Sequence, residues 1–136
     1  MSDVFELYIN GKFEKGSGSF ESINPATEKS WAVMPEAKEV DVENAVQAAA
    51  KALRNPEWAA LTASQRGKLL YKLADLIETN ALTLARYETL DTGKVIRETS
   101  SQIAYIAEYY RYYAGVADKL EGRHLPIDKS DMQAWL

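Results

Sequence analysis

Glu88 and Asp91 lie three residues apart, a spacing that sets two carboxylates on one face of a helix. Such a pair can work as acid and base, or hold a cation. The plainer reading is a solvated helix end, and spacing alone favours it. Asp91 is still out of place as decoration, because a carboxylate near a helix C-terminus meets the negative end of the dipole. It has a structural use there, bonding the backbone of the turn through Thr92 and Gly93. His124 is the only histidine and could serve as a general base. It has no cysteine to activate and no acid close in sequence to orient it, so a structural or exposed role is expected. Tyr105, Tyr109, Tyr110, Tyr112 and Tyr113 suggest an aromatic cage. Helical spacing is expected to scatter them around the axis, some into the core and some to a subunit or domain contact. Gly16 and Gly18 precede no helix, so they do not form a dinucleotide-binding fingerprint.

Bulk properties narrow the classes further. The 136 residues hold no cysteine, which removes thiolate chemistry, disulfides and cysteine zinc sites from this stretch. Net charge is −4, with Lys and Arg spread singly among acids, which argues against a nucleic-acid footprint. The acidic first residues match no export signal, and no apolar run approaches the ~20 residues of a membrane helix. The reading is a soluble, cytoplasmic protein.

The elements that must position these residues follow from local chemistry. Leu7–Ile9 and Lys12–Phe13 flank Asn10-Gly11, a dipeptide that accepts positive φ at both turn positions, so a hairpin is predicted. Phe20–Ile23 and Ser30–Met34 read as strands joined by a turn at Asn24-Pro25-Ala26-Thr27. Val42, Ala45, Val46, Ala49 and Leu53 mark the apolar face of a first helix ended by Asn55-Pro56. Thr62 and Gln65 form a capping box for the next, whose buried face is expected to be Leu69, Leu70, Leu73, Ala74 and Ile77. A third helix runs from Asn80 to about residue 90 and stops at Gly93. The longest spans roughly 98–120, with Ile103, Ile106, Ala107, Tyr110, Ala114, Ala117 and Leu120 on one face. Arg123–Ile127 is extended, and Met132–Leu136 reads as an apolar strand still lacking a partner, to be supplied by further sequence or another chain. The residues thus describe an acidic, mostly helical segment with an N-terminal hairpin. No complete active site is visible in it, and it reads as the front of a larger α/β protein.

Several segments resemble, in order, the N-terminal part of the NAD(P)-dependent aldehyde dehydrogenase superfamily. They are Leu7-Tyr8-Ile9-Asn10-Gly11-Lys12-Phe13, Ile23-Asn24-Pro25-Ala26-Thr27, Asp41-Val42-Glu43-Asn44-Ala45-Val46, and Trp58 with Arg66. The most specific is Glu88-Thr89-Leu90-Asp91-Thr92-Gly93-Lys94, followed by Tyr112-Tyr113-Ala114-Gly115. Two departures stand out: Val95 occupies a position where the family commonly has proline, and the link to the Tyr-Tyr-Ala-Gly helix looks about one residue short.

The resemblance implies an α/β fold of the aldehyde dehydrogenase type. Residues 1–136 would be the N-terminal part of its cofactor-binding domain, and 122–136 would begin the oligomerisation hairpin of a homo-oligomer. The implied reaction oxidises an aldehyde to a carboxylic acid with NAD or NADP through a cysteine thioester. The family's nucleophilic cysteine, general-base glutamate, oxyanion asparagine and nucleotide contacts have no counterpart among these positions, and the chain alone is expected to be inactive. Members resembling betaine-aldehyde dehydrogenases imply a K+ or Na+ site, with backbone carbonyls of Ser22 and Ile23 and the carboxylate of Asp91 as ligands. The start of the long helix would line the substrate tunnel, with Ser101, Gln102, Tyr105 and Ile106 as candidates; simple helix packing remains the alternative for each. The competing function is a non-catalytic module that pairs with other subunits through its final strand.

Overall fold

The computed structural model describes residues 3–136. Its elements, in order, are β1 (Asp3–Val4), β2 (Leu7–Ile9), β3 (Lys12–Glu14), β4 (Gly18–Asn24), β5 (Lys29–Glu36), α1 (Glu39–Leu53), α2 (Pro56–Ala59), α3 (Ala63–Thr79), α4 (Ala81–Thr92), α5 (Ile96–Val116), β6 (His124–Leu125) and β7 (Ala134–Trp135). The hairpin turn forms as its residues dictate. Asn10 and Gly11 sit at φ 52° and 78°, and β2 pairs antiparallel with β3 from Leu7–Glu14 to Ile9–Lys12. A second sheet has the order β1-β5-β4, with β1 parallel and β4 antiparallel to β5. Its β4–β5 connection is anchored by Asn24, whose carboxamide oxygen accepts from the Ala26 amide at 2.9 Å while its carbonyl accepts from Glu28 at 2.8 Å.

The starts of α1 and α3 are chemically marked. At α1 the Lys38 amide donates to the Asp41 carboxylate (2.9 Å). At α3 the capping box closes both ways: the Thr62 amide donates to Gln65 (2.8 Å), and the Gln65 amide to the Thr62 hydroxyl (3.3 Å). Ser64 reaches Asp118 (3.0 Å) while Asp75 and Glu78 reach Arg111 (2.9 and 2.5 Å), so α3 and α5 run antiparallel. Between and beside them lie the buried Ala74, Ile103, Ala107 and Ala114. The fully buried Thr99 ties α5 to α4 through the Thr89 hydroxyl at 2.9 Å. Arg66 stacks over the Trp58 ring, its guanidinium carbon 5.3 Å from the centroid, fixing the short α2 on α3.

Three sequence expectations are corrected by the packing. The apolar face expected of α1 is not covered: Val42, Val46 and Leu53 all stand exposed, and α1 has no buried residue. In α3, Leu70, Ala74 and Ile77 turn inward, but Leu69 and Leu73 do not. α5 ends at Val116 rather than 120, leaving Leu120 outside it and exposed. The common reason is area. A compact 15.2 kDa monomer exposes about 7,100 Å², whereas this chain exposes 10921 Å². Among the described residues the apolar stripe of α1 and part of that of α3 stay open.

The last strand is also corrected. β7 is paired within the chain, antiparallel to β6, with His124 opposite Trp135 and Leu125 opposite Ala134. The hairpin is closed by backbone bonds in both directions between Arg123 and Leu136. Among the described residues it belongs to a two-stranded sheet.

Candidate functional site

Two clusters gather the residues singled out by sequence. The first lies where α4 ends against the β4–β5 turn. Gly93 adopts φ 75°, the left-handed cap that lets the helix stop, and its amide bonds the Thr89 carbonyl. A Cβ built there would lie 2.8 Å from Cγ of Pro25, so the cap and the turn are in direct contact. This docking brings Asp91 to Ser22, whose hydroxyl donates to the Asp91 carboxylate at 2.5 Å. The Trp31 indole donates in turn to the Ser22 hydroxyl at 3.0 Å. Trp31 can do so because the β4–β5 register shifts at Ser22/Ile23, leaving Trp31 as the extra residue of β5. Its ring is fixed by Phe5 and Tyr87, with centroids 6.0 and 5.7 Å away.

The bond expected between Asp91 and its own turn is therefore not the one that forms. Thr92 serves the turn instead, its hydroxyl donating to the Glu88 carbonyl (2.6 Å) and accepting from the Lys94 amide (3.3 Å). Glu88 and Asp91 also part company: Glu88 pairs with Lys94 at 2.6 Å, while Asp91 faces Ser22. Among the described residues no group of three His, Cys, Asp or Glu converges as a metal set. The lone-pair atoms in the first cluster, on Asp91 and Ser22, are oxygens, a type that suits a hard cation. Trp31 and Tyr87, which hold the cluster together, were missed from sequence. The signal was available only as one aromatic per segment, with nothing local to join them.

The second cluster is a concavity of about 460 Å³ lined by Ser101, Gln102, Tyr105, Ile106 and Glu88. All four tunnel candidates therefore share one surface, joined by an acid that sequence reasoning had treated separately. Lys94 spans its edge, donating to Glu88 (2.6 Å) and to the Gln102 carboxamide oxygen (3.3 Å).

The tyrosines are less scattered than expected. Tyr105, Tyr109, Tyr112 and Tyr113 follow i, i+4, i+7 and i+8 and form one exposed ladder, with centroids 6.2 Å apart for Tyr105–Tyr109, 4.8 Å for Tyr109–Tyr113 and 5.3 Å for Tyr113–Tyr112. Only Tyr110 turns elsewhere, half-buried. The Tyr109 hydroxyl donates to Tyr113 at 3.2 Å, and this bond raises the Tyr109 pKa because it favours the protonated phenol. His124 stacks on Trp135 at 4.7 Å inside the terminal hairpin, away from both clusters in sequence and fold, as its structural reading requires.

The Aldehyde dehydrogenase family matches residues 13–135. The chain belongs to that family. It is 67% identical over 132 residues, 97% of its length, to (Z)-2-((N-methylformamido)methylene)-5-hydroxybutyrolactone dehydrogenase of Acinetobacter baylyi, of which it covers 27%. It is 44% identical to aldehyde dehydrogenase 1 of Tanacetum cinerariifolium over 96% of its own length and 26% of the relative's. The solved NAD+ complex of a Bacillus cereus aldehyde dehydrogenase superimposes with a TM-score of 0.87 at 40% identity, covering 98% of this chain and 28% of that one. A betaine aldehyde dehydrogenase from Staphylococcus aureus, also solved with NAD+, gives a TM-score of 0.83 at 33% identity over 94% of this chain and 26% of that one. The chain thus spans about a quarter of the length of the relatives it matches. The fold is the aldehyde dehydrogenase fold, represented here by a mostly helical portion with short hairpins. Among the described residues no helix is long and apolar enough to cross a membrane.

Proposed function

We propose that the complete gene product oxidises an aldehyde to a carboxylic acid with NAD+ or NADP+ through a cysteine thioester, and that residues 1–136 serve it as a positioning unit. The observation that carries this is the agreement along nearly the whole chain, in sequence at 67% identity and in shape at a TM-score of 0.87. The nucleophile lies outside these residues, which hold no cysteine. No glycine-rich turn here opens a helix, so the nucleotide contacts are assigned outside them too. The dinucleotide accepts the hydride when bound; this segment supplies the entry hairpin, covering helices and one wall of the substrate path. That wall is Ser101, Gln102, Tyr105 and Ile106.

The relative from Acinetobacter baylyi acts, by its name, on a hydroxybutyrolactone bearing an N-methylformamido group. At 67% identity, a small aldehyde or lactol rich in neutral carbonyl groups is the reading for this protein as well. The first cluster is read as part of a K+ or Na+ site, with the Asp91 carboxylate and the Ser22 and Ile23 carbonyls as ligands. We place the protein in the cytoplasm as a homo-oligomer, residues 1–136 in its cofactor-binding domain and 122–136 in its oligomerisation hairpin. The test is the initial rate of NAD+ and NADP+ reduction by the complete gene product over a panel of neutral amide-bearing, carboxylate-bearing and alkyl aldehydes. Turnover fastest on the first group is expected; no reduction with any aldehyde would sink the proposal.

A second reading is a non-catalytic module that pairs with other subunits. The observation in its favour is the surface of roughly 3,800 Å² beyond that of a compact monomer. A reading frame that stops after Leu136 would favour it; a continuation holding a cysteine in a glycine-rich setting favours the enzyme.

A further inference from the structure

Gln102 is the one amide on the wall of the second cluster, and its orientation is decided by chemistry. Lys94 Nζ can only donate, so the Gln102 atom it meets at 3.3 Å must be the oxygen. Lys94 is itself held by Glu88 at 2.6 Å, the acid's side chain being the more covered of the two. The chain Glu88–Lys94–Gln102 therefore leaves the Gln102 amino group as the donor not engaged by Lys94. That residue lines the concavity together with Ser101, Tyr105 and Ile106. The charges of Lys94 and Glu88 cancel within one hydrogen-bonded pair. The wall consequently offers a neutral donor beside aromatic and aliphatic surface, with no net positive charge to attract a carboxylate.

We infer that Gln102 is a specificity-determining residue, held in orientation by the Lys94–Glu88 pair, that donates to a neutral carbonyl acceptor on the substrate remote from its aldehyde. This rests on the proposal that the concavity is part of the substrate path. It adds what that wall selects. An alkyl substrate offers this exposed donor no acceptor and so gains nothing from it, whereas a substrate with a matching carbonyl gains one hydrogen bond.

The test uses the complete gene product and two probes of equal chain length, 4-acetamidobutanal and heptanal. Gln102 is exposed, so Gln102→Leu keeps its approximate size without burying a polar group, and an unchanged melting temperature confirms the fold. The expected result is a loss of about three- to tenfold in kcat/KM for 4-acetamidobutanal with little change for heptanal. Lys94→Met frees the amide to rotate and should give a smaller loss in the same direction, carried mainly by KM. Tyr105→Ala and Ile106→Ala test the wall itself and should slow both aldehydes. If those two variants leave both rates unchanged, the concavity is not on the substrate path and the inference falls with it. If they slow both but Gln102→Leu does not separate the probes, the wall stands and the role given to Gln102 is wrong.

Discussion

Replacing Gly93 with alanine tests the contact that brings Asp91 to Ser22. Gly93 sits at φ 75°, where an L-residue costs about 1–2 kcal/mol. Its added Cβ would also lie 2.8 Å from Pro25 Cγ, a rigid ring on an anchored turn that cannot rotate away. Overpacking of this kind costs about 1–3 kcal/mol. Reduced freedom in the unfolded chain returns about 0.4–1 kcal/mol. The net destabilisation is about 1–5 kcal/mol. Gly11→Ala is the internal control: its φ is 78° and nothing lies within 4 Å of the added Cβ, so only the conformational part applies. Urea unfolding of both variants, compared at equal m-value, separates strain from clash. Gly93→Ala should cost about 1–3 kcal/mol more than Gly11→Ala. Equal costs would refute the docking of the α4 cap on the Asn24-Pro25 turn, and with it the geometry of the first cluster.

Val95→Pro should stabilise: Val95 has φ −67°, already the proline value, and its amide makes no hydrogen bond among the described residues. The gain is about 0.4–1 kcal/mol, read as a rise of about 2–4 °C in melting temperature. Arg111→Met should lower the melting temperature, since it leaves Asp75, Glu78 and Glu108 facing one another where one guanidinium had bridged them; the loss should shrink in about 1 M salt. The Asp118 carboxyl lies below its ordinary 3.8 because Lys119 and then Ser64 hydrogen-bond its ionised form. A depressed folded pKa contributes stability that is present above the ordinary value and lost as pH falls through the lowered one. The advantage of the native chain over Asp118→Asn in melting temperature should therefore vanish on acidification below about pH 4.

Legibility in the sequence followed range. The Asn10-Gly11 hairpin, the Thr62–Gln65 box and the Gly93 stop are set within a few residues, and all three formed as expected. The four wall residues were placed by resemblance, and helical spacing kept them on one surface. What local pattern could not show was pairing across distance. Trp31 reaches Ser22 only because of a bulge, and Glu88 joins the wall because α4 packs on α5, a contact tied by Thr89 and Thr99. Burial failed for a different reason. Apolar periodicity says which face a helix prepares, not what covers it, so the stripe of Val42, Val46 and Leu53 was real but open. The tyrosine ladder was misread because i, i+4 and i+7/i+8 neighbours were counted as dispersed when they align.

In the proposed function these residues position substrate for chemistry carried elsewhere in the protein. The most direct test is aldehyde-dependent NADH formation, measured side by side for the purified 136-residue chain and the complete gene product. Turnover by the complete product and none by the chain alone is expected. NADH formation by the 136 residues on their own would contradict it.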